Sequence, residues 1–216
     1  MRRAPNFDHL ARLYRWMERF TFGNALWHCR CGFLGRMHDA RHALLIGDGD
    51  GRFAARLLAE NGAVQVDAVD ASRAMLAVLL ENAGPHAERV LTQVADIRTW
   101  EPYRTDYDLV VTHFSLDCLT TEEIAATVAR LRRCVTPSAR WAVSEFAVPA
   151  GWFGKLVAGP LILGLYVSFR VLTGLRMLRL PDYRKALASA GFVVDRAESS
   201  LCGLLVSEVW TLRDGV

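Results

Sequence analysis

Leu44-Leu45-Ile46-Gly47-Asp48-Gly49-Asp50-Gly51-Arg52-Phe53 is the stretch on which the reading of this chain turns. An apolar run ends in three glycines at alternate positions, and a helical pattern follows with Phe53, Leu57 and Leu58 on one face. Glycines at such a strand-to-helix turn let the backbone bend tightly and let a ligand lie against bare amides. A turn of this composition with no ligand would carry the entropic cost of glycine with nothing to offset it.

Outward from that turn, strands and helices alternate. A second strand covers Val64 to Asp70, and Ser72 caps a helix bearing Met75, Leu76, Leu79 and Leu80. A third strand is expected near Arg89 to Ala95 and a fourth from Tyr107 to Thr112. Thr120 or Thr121 caps the next helix, with Glu122 and Glu123 in its first turn favouring the dipole, and a fifth strand covers Arg140 to Phe146. Such alternation predicts an α/β protein, a parallel sheet covered by helices. Pro181-Asp182 then opens a helix through Ala190 that Gly191 ends. Phe192 to Glu198 and Leu204 to Leu212 follow as two runs able to pair as an antiparallel hairpin. Residues 1–40 read as two amphipathic helices outside the sheet.

The 216 residues, 52% hydrophobic and 23% charged, suit a single globular domain spanning 1–216. The formal charge is +3, and of 26 basic residues only Lys155 and Lys185 are lysines. No basic run interleaves with aromatics, so no nucleic-acid partner is expected. Five scattered cysteines, Cys29, Cys31, Cys118, Cys134 and Cys202, offer no second pair beside the C-x-C of 29 and 31. Reduced thiols in a cytoplasmic protein, without metal, are the expectation. The first residues carry charges throughout and lack the apolar core of a signal peptide. Residues 156–169, LVAGPLILGLYVSF, are shorter than the ~20 needed to span a bilayer and are broken by glycine and proline. They are expected to be buried or interfacial.

Three strand ends present polar groups on one edge. Beyond the glycines, Asp70 sits 19 residues after Gly51 at the end of the second strand, where an acid can accept hydrogen bonds from both ribose hydroxyls of an adenosine ligand. Asp96 and Ile97 end the third strand as an acid–apolar pair suited to an adenine amino group and ring face.

Together these segments resemble the class I, Rossmann-like S-adenosylmethionine-dependent methyltransferases, in particular the small-molecule branch that includes the ubiquinone and menaquinone C-methyltransferases. The resemblance runs from about Phe7 to the end. It rests on Leu44–Gly51, on Val66-Asp67-Ala68-Val69-Asp70 with Met75, on Ala95-Asp96-Ile97 and on Asp106 to Leu116. Leu131 to Ala139 and Asp182 to Phe192 add to it. It implies a three-layer fold with a seven-stranded sheet in order 3-2-1-4-5-7-6 and strand 7 antiparallel. It also implies S-adenosylmethionine as donor. Gly47, Asp48, Gly49 and Gly51 would meet its methionine end, Asp70 with Ala71 its ribose, and Met75, Asp96 and Ile97 its adenine side. His113 and Phe114 would lie beside the sulfonium, with Tyr14 closing over from the N-terminal segment. The chain departs from the family at Leu45, where the family carries Asp or Glu; Asp48 or Asp50 could substitute through water.

Other readings stay open. Gly49 to Ala54 satisfies G-x-G-x-x-A, so an NAD(P)-binding oxidoreductase-like domain is the alternative, although the second half of a dinucleotide fold is missing. A donor-binding protein without transfer activity is another. If the acceptor must lose a proton, His113, Asp117 and Glu145 are the candidate bases, His113 foremost. Their ordinary roles would be shaping a pocket, capping a turn and pairing with an arginine. Tyr14, Trp16, Met17, Phe20, Phe22 and Trp27 are core or ligand cage. The apolar insertion 149–180, flanked by Arg170, Arg176 and Arg179, suits an apolar small-molecule acceptor, a homodimer interface or peripheral membrane contact.

Overall fold

The computed structural model describes residues 23–149, 151–152, 154–162, 164 and 180–213. Tyr14, the other aromatics up to Phe22, and Arg170, Arg176 and Arg179 lie outside the described residues, as does most of the expected N-terminal helical pair.

Seven strands form one sheet: β1 (His42–Ile46), β2 (Gln65–Asp70), β3 (Val90–Val94), β4 (Tyr107–His113), β5 (Val135–Phe146), β6 (Phe192–Ser200) and β7 (Leu205–Leu212). Their order is β3-β2-β1-β4-β5-β7-β6. Neighbours from β3 to β5 pair in parallel, whereas β7 runs antiparallel to both β5 and β6. Among the described residues, α1 (Ala25–Cys31), α2 (Arg52–Glu60), α3 (Arg73–Ala83), α4 (Thr121–Leu131) and α5 (Tyr183–Ser189) accompany them.

Strand alternation divides the core. Ala43, Leu45, Leu109 and Val111 face Phe53, Leu57, Leu76 and Leu79 of α2 and α3. Leu44, Ile46, Val110 and Trp141 face Ile124, Val128 and Leu187 of α4 and α5. Buried on both faces, the central strands are near-continuous apolar runs, as parallel strands require.

Local chemistry sets the helix starts. Ser72 accepts the Met75 N–H at 3.2 Å. Thr120 accepts the Glu123 N–H at 3.1 Å while the Glu123 carboxylate takes the Thr120 N–H at 2.9 Å, a closed capping box. Asp182 accepts the Lys185 N–H at 3.1 Å.

β5 begins five residues earlier than the sequence suggests, because Thr136-Pro137-Ser138 reads as a turn yet sits in the strand's outer end. The pairing with β4 shifts register there, between Tyr107 and Leu109. In the insertion, Ala158 and Ile162 pack on Leu204, while Trp152 and Leu156 are exposed. Among the described residues no helix is long and apolar enough to cross a membrane.

Gly51 has φ +74°, and a Cβ there would lie 2.4 Å from Leu79 Cγ. Gly62 has nothing within 4 Å. Gly51→Ala should therefore cost at least about 2 kcal/mol, from left-handed strain plus overpacking. Gly62→Ala should stay within about 0.5 kcal/mol, as an exposed change away from such features does. Equilibrium denaturation of both variants checks this, and equal losses would refute it.

Candidate functional site

The strand-to-helix turn of β1 decides where the site is. Gly47, Gly49 and Gly51 all take φ between +65° and +74°, a conformation that favours glycine. The three left-handed residues swing the backbone over the carboxyl edge of the sheet. At Gly47 a Cβ would stand 2.8 Å from Ser115 Cβ, so the turn after β1 and the turn after β4 are in close contact.

Between these turns and the ends of β2 and β3 lies an open cleft. Gly47, Gly49, Asp70, Ala71, Met75, Asp96, Ile97 and Phe114, eight of the residues singled out from the sequence, line it together. Arg98, Ser115, Cys118 and Leu119 line it as well and were not singled out. The lining is mostly apolar with carboxylates at the rim, as a pocket for a nucleoside-sized ligand needs.

Each rim carboxylate has a defined setting. Asp70 accepts the Ser72 N–H at 2.7 Å, which fixes its rotamer at the end of β2. Asp96 is clasped by Arg98, Nε to Oδ1 at 2.8 Å and Nη2 to Oδ2 at 2.5 Å. That guanidinium holds the Asp96 carboxyl below the usual carboxylate range. Arg130 braces the same turn by donating to the Ile97 and Arg98 carbonyls. The i, i+2 spacing of Asp96 and Arg98 is a local signal that could have exposed this pair in the sequence.

Asp48, Gly51, His113 and Asp117 lie behind the lining. His113, only 3% exposed, meets the Phe53 ring edge-on at 4.5 Å. Its Nδ1 is buried with no hydrogen-bond partner among the described residues. Burial, helped by the nearby Arg30 cation, holds it neutral, well below the ordinary histidine value. Gly51 packs on α3, as above. Glu145 is 2% exposed, and its Oε1 accepts the Ser115 and Leu116 N–H groups at 3.1 and 2.9 Å. It thus ties the end of β5 to the turn after β4. Burial first, then the neighbouring Asp117 carboxylate, raises the Glu145 carboxyl well above its usual value. The Asp117 carboxylate also accepts from the Cys118 thiol at 3.5 Å.

Asp48 is 6% exposed; its Oδ2 accepts the Ala54 N–H at 3.0 Å, and its Oδ1 is buried without a hydrogen-bond partner among the described residues. Burial pushes it up to about 7, with Arg30 and the Ala54 amide opposing.

The sheet order and the cleft at its carboxyl edge define the class: this is the Rossmann-like methyltransferase fold. Residues 43–138 match the family described as a methyltransferase domain. No curated protein matches the chain in sequence. Among solved structures, a putative O-methyltransferase from Nostoc punctiforme is similar at TM-score 0.72 and 17% identity, over 94% of this chain and 59% of its own. An O-methyltransferase family 2 protein from Planctomyces limnophilus, in complex with apigenin, is similar at 0.67 and 16%, over 93% and 61%. A TehB-like S-adenosylmethionine-dependent methyltransferase from Corynebacterium glutamicum is similar at 0.61 and 17%, over 94% and 98%. The chain thus spans about three fifths of the first two. Nothing in these comparisons favours an oxidoreductase.

A folded-state value raised to about 7 means the native protein holds a proton on Asp48 that the unfolded chain releases near pH 4. The stability from this group is therefore lost as pH rises from about 4 to 7. Asp48→Asn keeps the acceptor for Ala54 and removes the titration. Relative to the parent, the variant should gain about 2–3 kcal/mol between pH 5 and pH 8, at 1.36 kcal/mol per pKa unit. Urea titrations at both pH values read this directly, and a pH-independent difference would sink it.

Proposed function

We propose that this protein is an S-adenosylmethionine-dependent methyltransferase acting on a small, apolar or aromatic acceptor. The observation that carries the reading is the single cleft shared by Gly47, Gly49, Asp70, Ala71, Asp96 and Ile97, on a sheet whose seventh strand is antiparallel. The chain's residues fit the donor. Gly47 and Gly49 leave bare backbone at the β1 turn, and Asp70 offers a carboxylate for a ribose. Ile97, beside the Asp96–Arg98 clasp, offers an apolar face for adenine.

When bound, the donor supplies a methyl group activated on a sulfonium, so that positioning can provide much of the rate. The chain's part is to orient and dehydrate that group and to take a proton where the acceptor is a hydroxyl. Asp117, next to the cleft-lining Cys118, suits that last task better than His113, whose ring is packed on Phe53 in the core. Asp117 is next to Cys118, which both lines the cleft and packs near Ala158 and Ile162 of the insertion. In this reading the acceptor enters between cleft and insertion, and its hydroxyl proton passes to Asp117. The donor held in the cleft would supply the methyl group to the acceptor oxygen and would be left as the thioether. The two O-methyltransferase neighbours, one described with apigenin, and the sequence resemblance to quinone C-methyltransferases both point to quinols and phenols as first acceptors. The insertion remains a proposed acceptor lid, with homodimer and membrane contact as competing uses, and a cytoplasmic site is proposed.

Calorimetric titration with S-adenosylhomocysteine should show micromolar binding and titration with NADH none; binding of NADH alone would overturn the reading. On an acceptor that turns over, Asp117→Asn should lower kcat at least tenfold while leaving S-adenosylhomocysteine affinity within twofold. Unchanged turnover would remove Asp117 from the mechanism.

A further inference from the structure

In the turn after β3 the chain fills the very carboxylate that the sequence offers to an adenine amino group. An ionised carboxylate has about four acceptor positions on its two oxygens. Arg98 brings four hydrogen bonds to Asp96. Its backbone N–H donates to Oδ1 at 3.0 Å and its Nε to Oδ1 at 2.8 Å. The same Nε reaches Oδ2 at 3.0 Å, and Nη2 reaches Oδ2 at 2.5 Å.

This clasp is held in place from outside. Arg98 Nη1 lies 3.7 Å from Glu123 Oε1, while Glu123 Oε2 closes the capping box of α4. Arg130 donates to the Ile97 and Arg98 carbonyls, and the Thr99 and Trp100 N–H groups donate to the Asp96 carbonyl at 3.0 and 2.9 Å. The Arg98 side chain is only 16% exposed, yet it lines the cleft together with Met75 and Ile97.

An acid at a strand end is an open acceptor only while its oxygens are unfilled. A ligand amino group approaching Asp96 must displace a charge-assisted hydrogen bond, one of the stronger kind. A guanidinium engaged at its edges keeps its planar face, and such faces stack on aromatic rings.

We infer that Arg98 sets the base specificity of the donor pocket. By occupying Asp96 it leaves the purine to be gripped by its faces, against Ile97, Met75 and the guanidinium, with the 6-amino group unread. The site then takes purine nucleoside thioethers as a class, adenine being one base among them. The inference rests on the methyltransferase reading, and it departs from the role that the sequence resemblance gives Asp96.

The test compares two probes by calorimetry: S-adenosylhomocysteine, and its analogue with hydrogen in place of the 6-amino group. The parent should bind both with affinities within threefold of each other. A hydrogen bond from the amino group to a charged acceptor would instead discriminate about tenfold or more. Arg98→Met frees the Asp96 carboxylate, so the preference for S-adenosylhomocysteine should rise at least tenfold. Arg98→Lys keeps the charge but not the two-pronged clasp, and its preference should fall between parent and Arg98→Met. Adding Asp96→Asn to Arg98→Met should return the ratio to within threefold of the parent's. A ratio of affinities is unaffected by any loss of binding common to both probes. A parent that favours S-adenosylhomocysteine by more than threefold, or a ratio unmoved in both Arg98 variants, would overturn the inference and leave the donor reading standing. A parent that binds neither probe would overturn both.

Discussion

The turn after β1 runs through a gap with no room for a side chain. On one side Leu79 of α3 occupies the space a Cβ at Gly51 would need; on the other Ser115 does the same at Gly47. This double contact joins the β1–α2 turn to α3 and to the turn after β4. The positions of Asp70, at the end of β2, and of Phe114, Ser115 and Cys118, beyond β4, are set relative to the glycines by it. Glu145 closes the set by holding the Ser115 and Leu116 amides from the end of β5. Neighbouring strand ends are therefore locked to each other around the cleft by backbone contacts, before any ligand contributes.

Much of this was legible in the sequence, for physical reasons. The alternation of apolar runs with capped helices can be satisfied by few arrangements, and Ser72, Thr120 and Asp182 announce their helices by chemistry that acts within three residues. The cleft lining was legible because the carboxyl edge of a parallel sheet gathers strand ends, and those ends are visible one strand at a time. What the sequence hid were contacts between distant segments. Arg30 is one of 24 arginines, on a seven-residue helix with too few turns to show a periodicity, and its burial depends on packing near Phe114. Glu145 looked like the partner of an arginine; its partners are backbone amides about thirty residues away, which no side-chain pattern encodes.

His113 teaches a different lesson. It follows Leu109 and Val111 on the same face of β4, and that alternation already points it at the core. A histidine at a strand's carboxyl end draws attention as chemistry, yet two-residue periodicity placed its ring on Phe53. Buried ionisable groups are concentrated at this edge: Asp48 and Glu145 raised, His113 lowered, all first by desolvation. Their stability contributions have opposite signs with pH. Buried ionisable groups with shifted titration are a feature of sites where a polar ligand is met.

The sheet order also constrains how the chain can be assembled. β7 is the last strand in sequence, yet it sits between β5 and β6 and shares a full ladder with each. During synthesis the first five strands can pair as they emerge, whereas β6 has no partner until residues 205–212 follow it. Until then β5, with Trp141 among its buried side chains, presents an open edge from Arg140 to Phe146. Nascent chains halted before residue 205 would thus expose the β edge from Arg140 to Phe146, a natural target for holding factors and a point of risk for aggregation.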